Sequence, residues 1–319
     1  MSAQWTSQVP SVSSQRPHAD QNDAFSLSDV AASVTRRIGH AAAVPYHLLL
    51  EARIPIVVVF GMRIVVASDA TTRPSLARIS LVVAWLALTV SAYVFNGITD
   101  LAADRVNGSN RPLATGRLSA STAAIASVVL AALGLADCWW IGPPVGLAGT
   151  RSLALGWAYS AGPQFKRSPL ACGITVAAAA TLTYYAGAEV GGDSAGVCVA
   201  YLLWSAWIGL ASPAKDLSDI DGDRLDGRRS LPVVLGPVAA SQWIAAVSLV
   251  WSVVLVVTIR LAAAQLGPVA WIALAGTIAF AIRLVAVRPG QSRKVLRRPY
   301  RALMLTQFAV NAALFACTV

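Results

Sequence analysis

The chain is a succession of long apolar runs separated by short polar segments. A helix needs about 20 mostly apolar residues to cross a bilayer, and nine runs approach that length. They lie over 46–68, 77–97, 119–137, 141–161, 169–188, 195–213, 237–259, 267–287 and 300–318. The fourth is the least regular, because Pro143, Pro144 and Arg151 interrupt it. The first 40 residues differ in kind, being rich in Ser, Gln, Asp and Arg with no helical period. They lack the basic-then-apolar order and small-residue cleavage site of a signal peptide. The pattern predicts a disordered cytosolic tail over 1–40 and one all-α, polytopic membrane domain over 41–319.

Composition agrees with that class. Hydrophobic residues make up 56% of the 319 positions and charged residues only 13%, with a mean hydropathy of +0.62. Soluble domains carry about a quarter charged residues, so a water-soluble globule is excluded, as is disorder of the whole chain. Cys138, Cys172, Cys198 and Cys317 stand singly in apolar stretches, and there are three His. Neither a disulfide framework nor a zinc site follows from that spacing.

A net charge of +10 would suggest nucleic acid in a soluble protein. In a membrane protein it first has to be compared with the positive-inside rule. With the N-terminus inside, eighteen of the 25 Lys and Arg fall in inner segments, three in outer loops and four within the runs. That asymmetry fixes an orientation and removes the need for a nucleic-acid partner. Arg outnumbers Lys 22 to 3, and with the abundance of Ala this suggests a bacterial, GC-rich source and hence a cytoplasmic membrane.

Carboxylates stand out against this apolar background. The second run ends in Asn96-Gly-Ile-Thr-Asp100-Leu-Ala-Ala-Asp104-Arg105, and the sixth in Lys215-Asp216-Leu-Ser-Asp219-Ile-Asp221-Gly-Asp223-Arg224. At 100° per residue, Asn96, Asp100 and Asp104 share one helical face. So do Asp216, Asp219 and Asp223, while Asp221 points away. Like charges one turn apart repel, and acids at a helix C-terminus oppose its dipole. A cation explains them: oxygen-only ligands suit Mg²⁺, which pairs a few carboxylates with phosphate oxygens. Membrane-edge acids of this kind mark functional sites. The two regions also resemble each other. Asp104-Arg105-x-x-Gly108 followed by Pro112 parallels Asp223-Arg224-x-x-Gly227 followed by Pro232, 119 residues later, as in an internally duplicated membrane fold.

These motifs resemble those of the UbiA superfamily of intramembrane prenyltransferases. The first is Asn96-x-x-x-Asp100-x-x-x-Asp104-Arg105 continuing through Arg111-Pro112-Leu113 to Gly116-Arg117; the second is Asp219-x-x-Gly222-Asp223-Arg224 continuing through Gly227-Arg228-Arg229 to Pro232. Between them, Tyr159-Ser160-x-x-Pro163-x-x-Lys166-Arg167 is similar to the segment between that family's fourth and fifth helices.

The resemblance implies nine helices around a central cavity open sideways to lipid. It also implies Mg²⁺-dependent ionisation of an isoprenyl diphosphate, with transfer of the prenyl group to a lipophilic, aromatic acceptor. By position, Asn96, Asp100, Asp104, Asp219 and Asp223 would bind Mg²⁺. Arg105, Tyr159, Lys166 and Arg167 would contact the diphosphate, and Asp216 would hold metal or deprotonate the acceptor. Arg53, in Glu51-Ala-Arg53-Ile-Pro55, can snorkel, pair with Glu51 or face phosphate. Arg111 and Arg117 would hold the loop over the site or meet lipid headgroups. Tyr184, Tyr185 and the ten Trp are candidates for a carbocation-facing wall or for the interfacial belt.

Two other readings share these features. A UbiA-type class I terpene cyclase would use the same metal motifs without an acceptor. A transporter would need polar groups continuing outward, yet the third, seventh and ninth runs are nearly featureless.

Overall fold

The structure, a computed structural model, describes residues 42–318. A short helix α1 over 42–51 precedes α2 (Ile54–Ser68), α3 (Leu76–Thr99), α4 (Leu101–Val106), α5 (Ala120–Ile141), α6 (Pro143–Ser160), α7 (Pro169–Gly191) and α8 (Ala195–Ala211). They are followed by α9 (Ile220–Leu225), α10 (Leu231–Leu235), α11 (Pro237–Ala262), α12 (Gly267–Val285), α13 (Arg293–Leu296) and α14 (Arg298–Thr318). No strand occurs among the described residues. The predicted tail over 1–40 lies outside them.

Local sequence sets the helix starts. Ser75, Ser119, Ser168 and Ser194 each accept a hydrogen bond from the backbone N–H three residues on, capping α3, α5, α7 and α8. Proline in the first turn of α6, α7, α11 and α12 loses no hydrogen bond there.

The long helices α2, α3, α5, α6, α7, α8, α11, α12 and α14 each pack on the next in chain order, and α14 returns to α2. They form a closed ring, crossed inside by contacts of α2 with α7 and of α3 with α6. One apolar cluster joins α7, α8, α11, α12 and α14 around Trp207, Phe280 and Leu284. A second joins α2, α3, α5, α6 and α7 around Trp85, Leu81 and Ile64. Outward positions such as Ile125, Val128, Val250 and Leu261 are exposed and apolar, as lipid-facing surfaces are.

Each predicted run overlaps one of these helices. Six helices among the described residues, those of α3, α5, α7, α8, α11 and α12, are long and apolar enough to cross a membrane. The α2 helix is shorter, with 15 residues, and α6 and α14 carry Arg and polar side chains. Length and apolarity alone therefore carry six crossings rather than nine.

Two further expectations change. The first run is not one helix: it breaks at Arg53, whose φ of 64° is left-handed. The acidic stripes are not continuous helix either. Helix α3 ends at Thr99 and α4 begins at Leu101, leaving Asp100 at the joint. A 3₁₀ segment over Ser212–Ser218 precedes α9, leaving Asp219 at the equivalent joint.

Candidate active site

The two joints have the same construction. Asp104 N donates to Asp100 O at 2.8 Å, and Asp223 N to Asp219 O at 2.9 Å. Both six-residue helices end in a glycine with positive φ, Gly108 at 59° and Gly227 at 67°. The following residue then donates back to the aspartate: Ser109 N to Asp104 O at 2.9 Å, and Arg228 N to Asp223 O at 2.8 Å. That is the glycine-terminated helix end in which a left-handed residue lets two amides reach back into the last turn. The repeat seen in the sequence is thus a repeat of backbone geometry. The halves are clasped where Gly222 N donates to Asn107 Oδ1 at 3.1 Å. A side chain on Gly222 would collide with the Asn107 amide, so the clasp requires glycine.

Cations hold the acids of the two motifs. Asp100 Oδ1 receives Lys166 Nζ at 2.5 Å and Arg228 Nη2 at 2.7 Å. Arg228 also reaches Asp223 Oδ1 and Asp226 Oδ2, each at 3.2 Å. Arg293 Nη2 lies 2.8 Å from Asp219 Oδ1 and its guanidinium also donates to the Asn107 carbonyl. Lys215 Nζ lies 2.6 Å from Asp216 Oδ1. Asp104 pairs with Arg111 Nη1 at 2.5 Å, and Arg111 Nη2 lies 2.8 Å from Glu51 Oε1. Glu51, fully buried, also accepts from Leu113 N at 3.0 Å. Arg111 therefore fastens the loop after α4 onto α1. Gly97 makes room for that contact, since a Cβ there would lie 2.2 Å from Glu51 Oε1.

Titration follows this arrangement. Burial alone would raise the Asp100 carboxyl, but Arg228 and Lys166 outweigh it and hold it below the usual range. Burial disfavours the Arg228 cation, yet Asp100 and Asp223 outweigh that and raise its pKa. Asp223, 2% exposed, is pushed up to about 6 by burial and by the neighbouring Asp216 charge.

Two cavities meet here. One, of about 190 Å³, runs inside the ring and is lined by Asn96, Asp100, Tyr159, Asp216, Asp219 and Arg228 at one end. Deeper, its walls are apolar, with Val59, Leu88, Leu155, Ile208, Leu303 and Met304. The other, of about 500 Å³, is polar and basic; Arg53, Arg111, Arg117, Lys215, Arg293, Arg297 and Arg301 line it together with Asp104 and Asp219. Arg53, Lys215, Asp219 and Tyr300 line both.

The structure thus gathers Asn96, Asp100, Asp216, Asp219, Tyr159 and Arg53 at one cavity, Lys166 against Asp100, and Asp104 in the adjoining chamber. Asp223 lies behind Arg228. Arg105 and Arg167 are exposed and line neither cavity. Asp221 is exposed, as its position predicted. Arg53 faces both cavities, while Glu51 takes Arg111 as its partner. Arg228 and Arg293, given no role from the sequence, also pair with the acids of the two motifs. Their only sequence signal is position, Arg228 within the second motif and Arg293 in the inner basic run. Tyr184 is buried and Tyr185 exposed, and the aromatic rings lining the cavity are Phe60, Tyr93, Tyr159 and Tyr300 rather than Trp.

The donor set suits a hard divalent cation: carboxylates, amides and hydroxyls, without a His among the lining residues. Asp223 Oδ2 and the Ser230 hydroxyl are both buried, and Ser230 hydrogen-bonds to the Asp223 carboxyl. Among the described residues no three acids, His or Cys converge on one ion. An incoming ion would compete with Lys166, Arg228 and Arg293 for the carboxylate oxygens.

Comparison with known proteins bears on the family and the fold. A model of the UbiA prenyltransferase family matches residues 54–306. A digeranylgeranylglyceryl phosphate synthase of Natronomonas pharaonis is 35% identical over 162 residues, 49% of this chain and 56% of that protein. The bacteriochlorophyll synthase 33 kDa chain of Cereibacter sphaeroides is 30% identical over 169 residues, 51% of this chain and 56% of that one. The chain therefore spans little more than half the length of these curated relatives. A solved UbiA homolog from Archaeoglobus fulgidus, bound to GPP and Mg²⁺, shares the fold with a TM-score of 0.61 and 22% identity, covering 85% of this chain and 99% of its own.

Proposed function

The chain belongs to the UbiA prenyltransferase family, and from that premise we propose that it is an Mg²⁺-dependent intramembrane prenyltransferase that moves the prenyl group of an isoprenyl diphosphate onto a lipophilic acceptor. The observation that carries this reading is the junction of the two cavities. A basic, polar chamber suits a diphosphate, and the apolar cavity that shares Arg53, Lys215, Asp219 and Tyr300 with it suits a hydrocarbon tail. The acids sit where the two meet, so the C–O bond to be broken would lie across that line.

Asn96, Asp100, Asp104, Asp219 and Asp223 would hold the metal, with Asp216 extending the second set. When bound, Mg²⁺ supplies Lewis-acid neutralisation of the charge developing on the departing diphosphate. The chain's cations serve the same end. Lys166 and Arg228 keep Asp100 ionised, and Arg228, which lines the apolar cavity beside Asp100, presents N–H donors where donors to phosphate oxygens are strong. Arg53 and Lys215 contribute from the other two walls. The apolar wall excludes water, which would otherwise quench an allylic cation to the alcohol. Arg105 and Arg167, exposed at the same end, would meet the diphosphate on its way in.

Several apolar helices make this a multi-pass membrane protein; the positive-inside asymmetry supports the acidic end facing the cytosol, and the excess of Arg over Lys supports a bacterial cytoplasmic membrane. The solved homolog bound to GPP and Mg²⁺ supports the donor class and the metal. The test is incubation of the purified chain in detergent with C10, C15 and C20 prenyl diphosphates, with and without Mg²⁺ and phenolic acceptors. Transfer predicts metal-dependent diphosphate release that an acceptor accelerates, with a prenylated product. No release with any donor overturns the reading. A single cyclic terpene formed at a rate no acceptor changes would establish cyclisation instead.

A further inference from the structure

The chain carries a third stripe of charge, opposite in sign to the two acidic ones. Arg293, Arg297 and Arg301 are spaced four residues apart, and all three line the basic chamber. They straddle the break between α13 and α14, yet the helical spacing runs through it. Arg297 N donates to Arg293 O and Arg301 N to Arg297 O, each at 3.1 Å. At about 100° per residue these positions share one face, and like charges one turn apart repel. The stripe gains the helix nothing by itself.

Its compensation is incomplete. Asp219 takes Arg293, and the chamber's other carboxylate, Asp104, is held by Arg111. Among the described residues no carboxylate pairs with Arg297, Arg301 or Arg117. Burial and the Arg293 charge, with Arg53 and Arg301 beside it, hold the Arg297 guanidinium below its ordinary pKa, against the pull of Asp219. Arg117, from the loop after α4, lines the same chamber and donates to neutral oxygens, the Asn110 carbonyl at 2.5 Å and the Thr115 hydroxyl at 3.0 Å. The positive-inside rule accounts for Arg in inner segments, but it is indifferent to whether they converge on one chamber.

Arg117, Arg297 and Arg301 line the basic chamber alone, whereas Asn96, Asp100, Asp216 and Arg228 line the apolar cavity alone. A metal-bound diphosphate belongs at the junction, within reach of Arg53 and Lys215, and leaves the three outlying guanidinium groups over. A water takes about 30 Å³ of liquid and a phosphate group a few times that, so a chamber of about 500 Å³ has room for a second anion. Building on the transferase reading above, we propose that Arg117, Arg297 and Arg301 form a second anion site, which takes a phosphate group without metal while the donor's diphosphate occupies the junction. The guanidinium fork matches phosphate oxygens. Two sources supply such a group: the inorganic diphosphate that transfer releases, and the headgroup of an anionic lipid at the inner membrane edge.

The test is equilibrium dialysis of the full chain in detergent against radiolabelled inorganic phosphate. In EDTA the unaltered chain should bind the label, and Arg297→Gln and Arg301→Gln should each weaken binding at least fivefold. Arg298→Gln, on the same helix but outside both cavities, should match the unaltered chain, which controls for lost charge. With Mg²⁺ and saturating geranyl thiolodiphosphate, a donor analogue whose C–S bond resists ionisation, the label should still bind within about threefold of its affinity in EDTA. Competition in EDTA distinguishes the sources. Displacement of the label by inorganic diphosphate at lower concentration than by phosphatidate in mixed micelles supports the site with the leaving group as occupant; the reverse order supports it with a lipid headgroup. No binding of the label, its displacement by the donor analogue, or binding that survives in both Arg297→Gln and Arg301→Gln overturns the proposal. Metal-dependent diphosphate release from geranyl diphosphate tests the parent reading separately. Its absence beside intact, Arg297-dependent phosphate binding would remove the transferase and leave the anion site standing.

Discussion

Arg228 Nη2 closes on Asp100 Oδ1 at 2.7 Å across 128 residues of sequence. One cation therefore ties the first acidic motif to the second, since the same guanidinium holds Asp223. The pair explains how two repulsive groups of acids can face each other in a dry bundle. Each carboxylate has a cation that can turn from it to a phosphate oxygen. In the resting site the acids are paired with cations rather than bare.

That pairing separates two substitutions. Asp100→Ala leaves Lys166 and Arg228 short of a partner, and breaking a buried pair costs about 3 kcal/mol or more. Asp219→Ala removes one bridge between partners that are 25% and 31% exposed, worth about 1 kcal/mol at most. Both should lower diphosphate release by about a hundredfold or more, the scale of losing a group that stabilises transition-state charge. Thermal unfolding in detergent should show a clear drop for Asp100→Ala and little for Asp219→Ala. Asp221→Ala, exposed and outside both cavities, should match the unaltered chain in both measurements. Full activity of either of the first two would remove those aspartates from the site.

Gly222→Ala should separate the halves without touching an acid. The new methyl would lie 2.1 Å from Asn107 Nδ2, so Asn107 must swing out and release Gly222 N. Arg293, which also holds the Asn107 carbonyl, then loses its register on Asp219. The expected result is a rise in the Mg²⁺ concentration needed for half-maximal rate, by about tenfold, with the far larger Asp100→Ala loss not reproduced. Asn107→Ala removes the obstacle, so Gly222→Ala should cost little in that background. A full additional loss in the double variant would refute the clasp.

The membrane class, the two acidic motifs and their duplication were legible because each rests on local pattern: apolar runs, helical spacing and repeated letters. Asp100 and Asp219 at helix breaks were not. Nothing in Asn96-x-x-x-Asp100 says that the helix is reset there, because the four-residue spacing and its hydrogen bonds continue through the joint. Arg228 and Arg293 were missed for another reason. Inner segments rich in Arg satisfy the positive-inside rule whichever residues turn inward, so charge counting cannot single out those that pair with the acids. Glu51 was noticed only as a neighbour of Arg53, while its actual partner, Arg111, lies 60 residues away. Arg63 looked like one of four cations inside a run, and only the closed ring places it in a cavity.

Orientation has a direct test. Val106, exposed on α4 beside the site, and Leu261, exposed at the far end of α11, should lie on opposite sides of the membrane. In a Cys198→Ser background, a membrane-impermeant maleimide applied to intact bacterial cells should label Leu261→Cys and spare Val106→Cys. Inverted vesicles should give the reverse. Labelling of Val106→Cys from outside would reverse the topology and place the diphosphate site where the cell has no prenyl diphosphate.

With Asp223 among the proposed metal ligands, Mg²⁺ binding should depend on pH. The Asp223 carboxyl is pushed up to about 6, against about 3.9 for an unperturbed aspartate. The folded chain therefore binds this proton more tightly than the unfolded chain does. The metal-free protein accordingly gains stability from this group as pH falls from about 7 towards 4, and loses that gain as pH rises through 6. Metal binding runs the other way, since Mg²⁺ needs the carboxylate and must displace the proton. Apparent Mg²⁺ affinity should be flat above pH 7 and weaken below 6, approaching tenfold per pH unit for one proton. Asp100, held low by Arg228 and Lys166, remains ionised throughout and adds no slope in that range. Competition titration against Mn²⁺ at pH 5, 6, 7 and 8 should show the break near 6 in the unaltered chain. Asp223→Asn should bind more weakly at pH 8 but lose the break. Equal Mg²⁺ affinity at pH 5 and pH 7 in the unaltered chain would show that Asp223 does not hold the metal.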